Sequence, residues 1–181
     1  LIYQLDCLVF TDDLQYFCEL GYDYIGAPLF RRYQEKPVLS RVGNGGFSLR
    51  RIQAFLKVLD SERYIETTPP FLSDFLTADV PDLDEWSIYQ RWLKKMRVMR
   101  SVRRGVTLYL NTYTMNEDLF WSDRAKLFFQ EFRIAPMSLA LKFAFDKYPR
   151  TCFELNNYQL PLGAHAWAKW DRTFWEQYLQ K

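Results

Sequence analysis

The chain has 181 residues, 49% of them hydrophobic and 25% charged, which suits one domain, residues 1–181, with room to bury a substantial core. With 24 basic and 22 acidic residues the net charge is only +2, so nucleic acid is not expected as a partner. No apolar run reaches the roughly 18 to 20 residues that span a bilayer, and no signal-like segment opens the chain.

Leu1 to Phe10, "LIYQLDCLVF", is almost wholly apolar and predicts a buried central strand broken at Asp6. It starts as though the strand were already under way, so a further N-terminal portion is expected. "DDLQYFCEL" predicts a short helix with acids in its first turn, ending at Gly21. "YDYIG" predicts a strand stopped by Gly26 and Pro28, followed by a charged loop to Arg41 that holds Pro37. Asn44-Gly45 between apolar residues has the sequence of a type I′ hairpin turn. Gly43 and Gly46 are not required by such a turn, and their bare backbone equally suits close approach of a ligand. "LRRIQAFLKVLD" then puts Ile52, Phe55, Leu56 and Leu59 on one helical face.

Between about 61 and 106, three prolines separate short apolar pieces and predict a surface insertion. Its last part, about 86–104, reads as an amphipathic helix with a basic tail including Lys94, Lys95, Arg97, Arg100, Arg103 and Arg104. That tail is either a solvated face or a surface for an anionic membrane or an acidic protein partner. "VTLYL" predicts a strand, and "MNEDLFWSDRAKLFFQEF" one helix with Asn116 as its N-cap. "APMSLALKFAFD" predicts a helix opening on Pro136, "LNNYQLPLGAHAWAKW" a loop, and "DRTFWEQYL" a closing helix. Strands alternating with helices make the fold class α/β, a mixed sheet flanked by helices.

Polar interruptions of this apolar chain are the candidate site. Asp6 either caps the next turn or, at the carboxyl end of a strand, grips a hard divalent cation. Glu117 and Asp118 open a helix, where carboxylates offset the macrodipole; only one of the two can face a given pocket, and the helix end favours the ionised form that accepts a proton from a hydroxyl. His165 is the single histidine, which excludes a histidine dyad or a His-rich zinc site. It is either a structural residue or a nitrogen donor to a cation held by Asp6. Cys7, Cys18 and Cys152 are odd in number and lack CxxC spacing, so reduced thiols are expected, mostly buried, with a lean towards an intracellular setting. Trp121 and Trp167 are either core residues or flat apolar faces for a ligand.

In order along the chain, "YQLDCLVF", "YDYIGAP", "VGNGGFSLRR", "NEDLFW" and "GAHAW" resemble a family of glycosyltransferase-like proteins catalogued as a domain of unknown function, and more broadly the metal-binding and acceptor-binding C-terminal half of a GT-A nucleotide-sugar glycosyltransferase. The resemblance implies that Asp6, last acid of a DxD-type motif in which Gln4 replaces the first, holds Mn²⁺ or Mg²⁺, and that His165 completes the metal shell or touches the donor diphosphate. It implies that Gln4, Asn44, Gly45 and Gly46 lie beside the nucleotide-sugar donor. Asp118 would deprotonate the hydroxyl of a glycan or other acceptor in an inverting transfer, and Glu117 would bind acceptor or sugar. The nucleotide-binding half of such a domain precedes the metal motif, and only five residues do so here. The alternative is a glycosyltransferase-like scaffold subunit that has lost catalysis.

Overall fold

The computed structural model describes residues 1–33, 36–61, 87–90, 92–93, 96–97, 106–111 and 113–179. Most of the expected insertion at 61–106 and of the basic helix at 86–104 lies outside the described residues. The elements run β1 (Ile2–Tyr3), β2 (Leu8–Val9), α1 (Leu14–Glu19), β3 (Tyr24–Gly26), β4 (Pro28–Tyr33), β5 (Lys36–Val42), β6 (Phe47–Arg50), α2 (Ile52–Leu59), α3 (Val106–Leu110), α4 (Glu117–Asp123), α5 (Ala125–Phe128), α6 (Met137–Phe143), β7 (Ala144–Phe145), α7 (Pro149–Leu155), β8 (Gly163–Ala164) and α8 (Arg172–Leu179). The class is mixed α/β, with three small sheets among the described residues in place of one.

The first sheet is antiparallel in the order β1-β6-β3, and the second has the order β2-β8-β7, antiparallel between β2 and β8 and parallel between β7 and β8. The N-terminal apolar run is therefore not one buried strand. It is two edge strands in two sheets, joined by a turn that the Cys7 N–H closes onto the Gln4 carbonyl at 3.1 Å. Edge strands bury one side only, which is why Tyr3 and Val9 are half exposed, while Leu5, in the turn between them, is fully exposed.

The expected charged loop before Arg41 is instead the antiparallel ribbon β4–β5, running from Pro28↔Val42 to Tyr33↔Lys36 with a register shift between Leu29 and Phe30. Along β5 exposed and half-buried residues alternate, as the strand period requires. Pro37 is tolerated because a two-stranded ribbon leaves one edge of each strand without a ladder partner.

Three aromatic-rich clusters fill the interior. The first joins α2, α3, α4 and α5 around Tyr24, and Phe55 sits at its centre, 4.0 Å from the Trp121 ring centroid and 5.3 Å from that of Phe132. Seating Phe55 there fixes the rotation of α2, so Ala54, Phe55 and Val58 point inward while Ile52, Leu56 and Leu59 are exposed. Full burial of a ring of this size contributes roughly 1.5 to 3 kcal/mol, enough to override the face that spacing alone selects. The same cluster turns "VTLYL", expected as a strand, into the helix α3, whose Tyr109 ring packs on Phe120 and Phe128. Strand propensity yields to packing.

Asn116 occupies the N-cap position of α4, but the single helix expected beyond it breaks at Arg124 into α4 and α5. The second cluster packs Phe17, Phe47 and Phe143 between the first sheet and α6. Pro136 stands at the N-cap of α6. The third cluster packs α7 and α8 on β7 and β8, with the buried Trp175 stacked on Phe10 at 5.4 Å. Gly21, at φ +73°, follows α1 as expected. The acids, Asp12 and Asp13, lie just before that helix and not in its first turn. All three cysteines are free, Cys7 and Cys152 buried and Cys18 exposed.

Candidate functional site

A cleft of about 860 Å³ opens where the two three-stranded sheets, the β4–β5 ribbon and the start of α4 meet. The β1–β2 turn supplies Gln4 and Asp6, the β5–β6 connection Asn44, Gly45 and Gly46, α4 Glu117 and Asp118, and the segment after β8 His165. All eight residues singled out in the sequence line this one cleft. The ribbon forms the opposite wall with Leu29, Phe30, Arg31, Ser40 and Arg41.

The β5–β6 connection is not a hairpin, because β5 pairs with β4 while β6 pairs with β1 and β3. Neither Asn44 nor Gly45 has positive φ, as a type I′ turn demands. A side chain sets the shape instead. Buried Asn44 accepts the backbone N–H groups of Gly46 and Phe47 on Oδ1, both at 2.8 Å, and its own N–H donates to the Tyr24 hydroxyl at 2.8 Å. The glycines give room to protein side chains: a Cβ on Gly46 would collide with the His165 imidazole and with Gln4, one on Gly43 with the Ser122 hydroxyl, and one on Gly45 would sit 3.0 Å from Glu117 Oε1.

His165 stands between two carboxylates. Its Nε2 lies 3.0 Å from Gln4 Oε1 and 3.6 Å from Asp6 Oδ1; its Nδ1 lies 3.4 Å from Asp146 Oδ1 and 3.3 Å from Asn44 Nδ2. Asn44 Nδ2 also donates to Asp146 Oδ2 at 3.1 Å. Hydrogen bonding and charge attraction from Asp146 raise the imidazole pKa above its usual value against the opposing effect of burial, with a smaller push from Asp6. Two donors that share one ion at about 2.1 Å each sit roughly 3 to 4 Å apart. Measured from His165 Nε2, the Gln4 amide oxygen and the Asp6 carboxylate both meet that spacing, and half of the Asp6 side chain is open to the cleft. Among the described residues no three His, Cys, Asp or Glu side chains are grouped for a metal. The O, O, N set therefore fits a Mn²⁺ or Mg²⁺ ion only with water or substrate oxygens as the remaining ligands.

At the other end of the cleft, both oxygens of Glu117 are bound by Arg50, at 2.7 and 3.2 Å. Asp118 is half-buried, and one oxygen accepts the Leu119 N–H at 2.9 Å. Burial raises its carboxyl pKa, helped by the nearby charges of Glu117 and Asp146 and opposed by the Leu119 bond. The helix start was expected to favour the ionised form; desolvation outweighs it.

Asp146, Lys147, Lys169 and Trp170 also line the cleft and were not singled out in the sequence. Asp146 ends the apolar run "ALKFAF" as Asp6 ends an apolar stretch, so the same signal was present. Trp121 lies in the core, tilted against Phe55, and Trp167 packs at the edge of the third cluster. The indole that reaches the cleft is Trp170, with Lys147 Nζ and Lys169 Nζ each 5.0 Å from its ring centroid.

Among the described residues no helix is long and apolar enough to cross a membrane. Comparison with curated proteins and with solved structures gives no significant match. A family profile described as a protein of unknown function, DUF5672, matches residues 1–165, a span that contains Gln4, Asp6, the Asn44 loop, Glu117, Asp118, Asp146 and His165. The chain belongs to the DUF5672 family.

Proposed function

We propose that the protein is a metal-assisted glycosyltransferase of GT-A type that moves a sugar from a nucleotide-sugar donor to an acceptor hydroxyl. The observation that supports this reading is the convergence of Gln4, Asp6, Asn44, Glu117, Asp118 and His165 on one cleft. In the inverting reaction Asp118 takes the acceptor proton, the acceptor oxygen attacks the anomeric carbon, and the bond from that carbon to the donor diphosphate breaks with its electron pair leaving on the diphosphate. Burial makes Asp118 a stronger base than an exposed carboxylate. Asp6 and His165, with Gln4, would hold a Mn²⁺ or Mg²⁺ ion, which when bound neutralises charge growing on the diphosphate. Glu117, paired with Arg50, anchors the start of α4 and leaves Asp118 to face the acceptor.

A scaffold that has lost catalysis is the second reading. It is favoured by the internal pairing of groups that a donor would need, since the Gly46 N–H, the Gln4 amide and both Glu117 oxygens already have protein partners. Calorimetry with Mn²⁺ and a panel of nucleotide sugars separates the two. The transferase binds at least one donor in a metal-dependent way and transfers its sugar to an acceptor. Absence of heat with every donor, with and without metal, discards the transferase reading in favour of the scaffold.

A further inference from the structure

We infer that Asp146 is a positioning residue that holds the His165 ring through Nδ1–H and so presents the Nε2 lone pair to the Gln4 and Asp6 side of the cleft.

The placement follows from strand pairing. β7 and β8 are parallel, with Phe145 opposite Ala164, so Asp146 and His165 are the next residue on each strand. The His165 N–H donates to the Phe145 carbonyl at 2.9 Å, carrying the pairing one residue further. Neighbours in register on parallel strands share a face, and the carboxylate meets the ring edge-on, Asp146 Oδ1 to Nδ1 at 3.4 Å.

The Asp146 side chain is nine-tenths buried, and its Oδ1 has no partner other than the His165 ring. Its other oxygen accepts Asn44 Nδ2, and the orientation of that amide is set by the two backbone N–H groups on Asn44 Oδ1. The ring Nδ1–H is the donor in reach of Oδ1, and Asn44 Nδ2, 3.3 Å from Nδ1, then directs its hydrogen to Asp146 Oδ2 and not to the ring. With that proton in place Nε2 is free of hydrogen; without an ion Gln4 answers it by turning its carboxamide over, nitrogen for oxygen, and the reverse turn would offer the oxygen to a cation beside Nε2. A histidine that ligates a metal through one nitrogen commonly donates the other N–H to a carboxylate, and loss of that partner weakens metal affinity about 10- to 100-fold.

The inference rests on the metal-bearing cleft proposed above, yet it has a readout that needs no metal. His165 is the only imidazole, so long-range ¹H–¹⁵N correlation spectra report its tautomer without assignment. We expect Nδ1–H in the neutral ring of the wild-type protein, a shift towards Nε2–H in Asp146→Asn, and recovery in Asp146→Glu. By calorimetry, Mn²⁺ binds Asp146→Asn 10- to 100-fold more weakly than wild type. A wild-type neutral ring protonated on Nε2 overturns the assignment even where the variants fail to fold. So does an Asp146→Asn protein with unchanged tautomer and Mn²⁺ affinity. A wild-type protein that shows Nδ1–H but binds no Mn²⁺ supports the positioning role and counts against the metal in the proposed function.

Discussion

Asp118 joins two opposed demands in one carboxyl. Raised by burial, its pKa means that ionisation works against folding. The stability that the protonated form contributes is complete below the unfolded value of about 3.9 and is lost as pH rises through the folded value. The neutral isostere Asp118→Asn should therefore unfold at a higher temperature than wild type at pH 7, with the difference shrinking in acid, as calorimetric scans would register. Transfer activity should move the other way. In the wild type it climbs with pH through the raised pKa and then levels, and Asp118→Asn lowers turnover by about 10² to 10⁴. Asn44 makes the contrasting case, since its polar atoms all serve the fold. Asn44→Ala strips partners from the Gly46 and Phe47 N–H groups and from Asp146. At about 1 to 3 kcal/mol for each buried group left unpaired, we expect a loss of 3 kcal/mol or more in the urea midpoint analysis.

At the scale of elements, the start of α4 is fastened to the loop below it at two points. Arg50 grips Glu117 while its guanidinium lies 5.5 and 5.4 Å from the Tyr24 and Phe55 ring centroids, and one turn on the Ser122 hydroxyl donates to the Val42 carbonyl at 2.6 Å. Arg50 is largely buried and Glu117 is not. Truncation of Arg50 to Ala should thus cost about 1 to 3 kcal/mol through lost ring contacts, whereas Glu117→Gln, which weakens an exposed ion pair, should cost under about 1 kcal/mol. Equal costs in chemical denaturation would contradict this division. What the sequence made readable at this scale was punctuation: Gly21, Asn116 and Pro136 mark the ends they were expected to mark. The β4–β5 ribbon was hidden because its alternation is carried by charged and aromatic residues, not by a clean apolar period. α3 was hidden because its helical state depends on rings from α4 and α5 that no local window contains.

Across the whole molecule, the eight candidate residues were readable for a physical reason. Three acids, two amides and an imidazole that interrupt an apolar chain are costly unless the fold gathers them at a polar surface, and the glycines make room for them there. Asp146 ends an apolar stretch as Asp6 does, but its link to His165 comes from parallel pairing with residues 19 positions further on, visible only in three dimensions. The interior is as closed to reagents as the cleft is open. Burial pushes the Cys7 thiol up to about 11 and that of Cys152 to about 12, leaving Cys18 as the exposed thiol. Mass spectrometry after brief alkylation of the native protein at pH 8 should find one label, on Cys18, with the other two appearing only as denaturant unfolds the chain. Three labels on the folded protein would mean that the cores around Cys7 and Cys152 open freely.

The pairing of β2 and β7 solely through β8 fixes an order of events during synthesis. Until Gly163 and Ala164 have left the ribosome, neither the eighth and ninth residues nor the 144–145 pair has a ladder to join, and Trp175, which covers Phe10, emerges later still. A nascent chain halted at residue 160 would carry Asp6 and Asp118 but not yet His165. Ile2 and Tyr3 can pair with β6 much earlier, whereas protease protection of residues 8–10 should set in only after Gly163 to Trp175 have emerged, like a clasp that shuts from its far end.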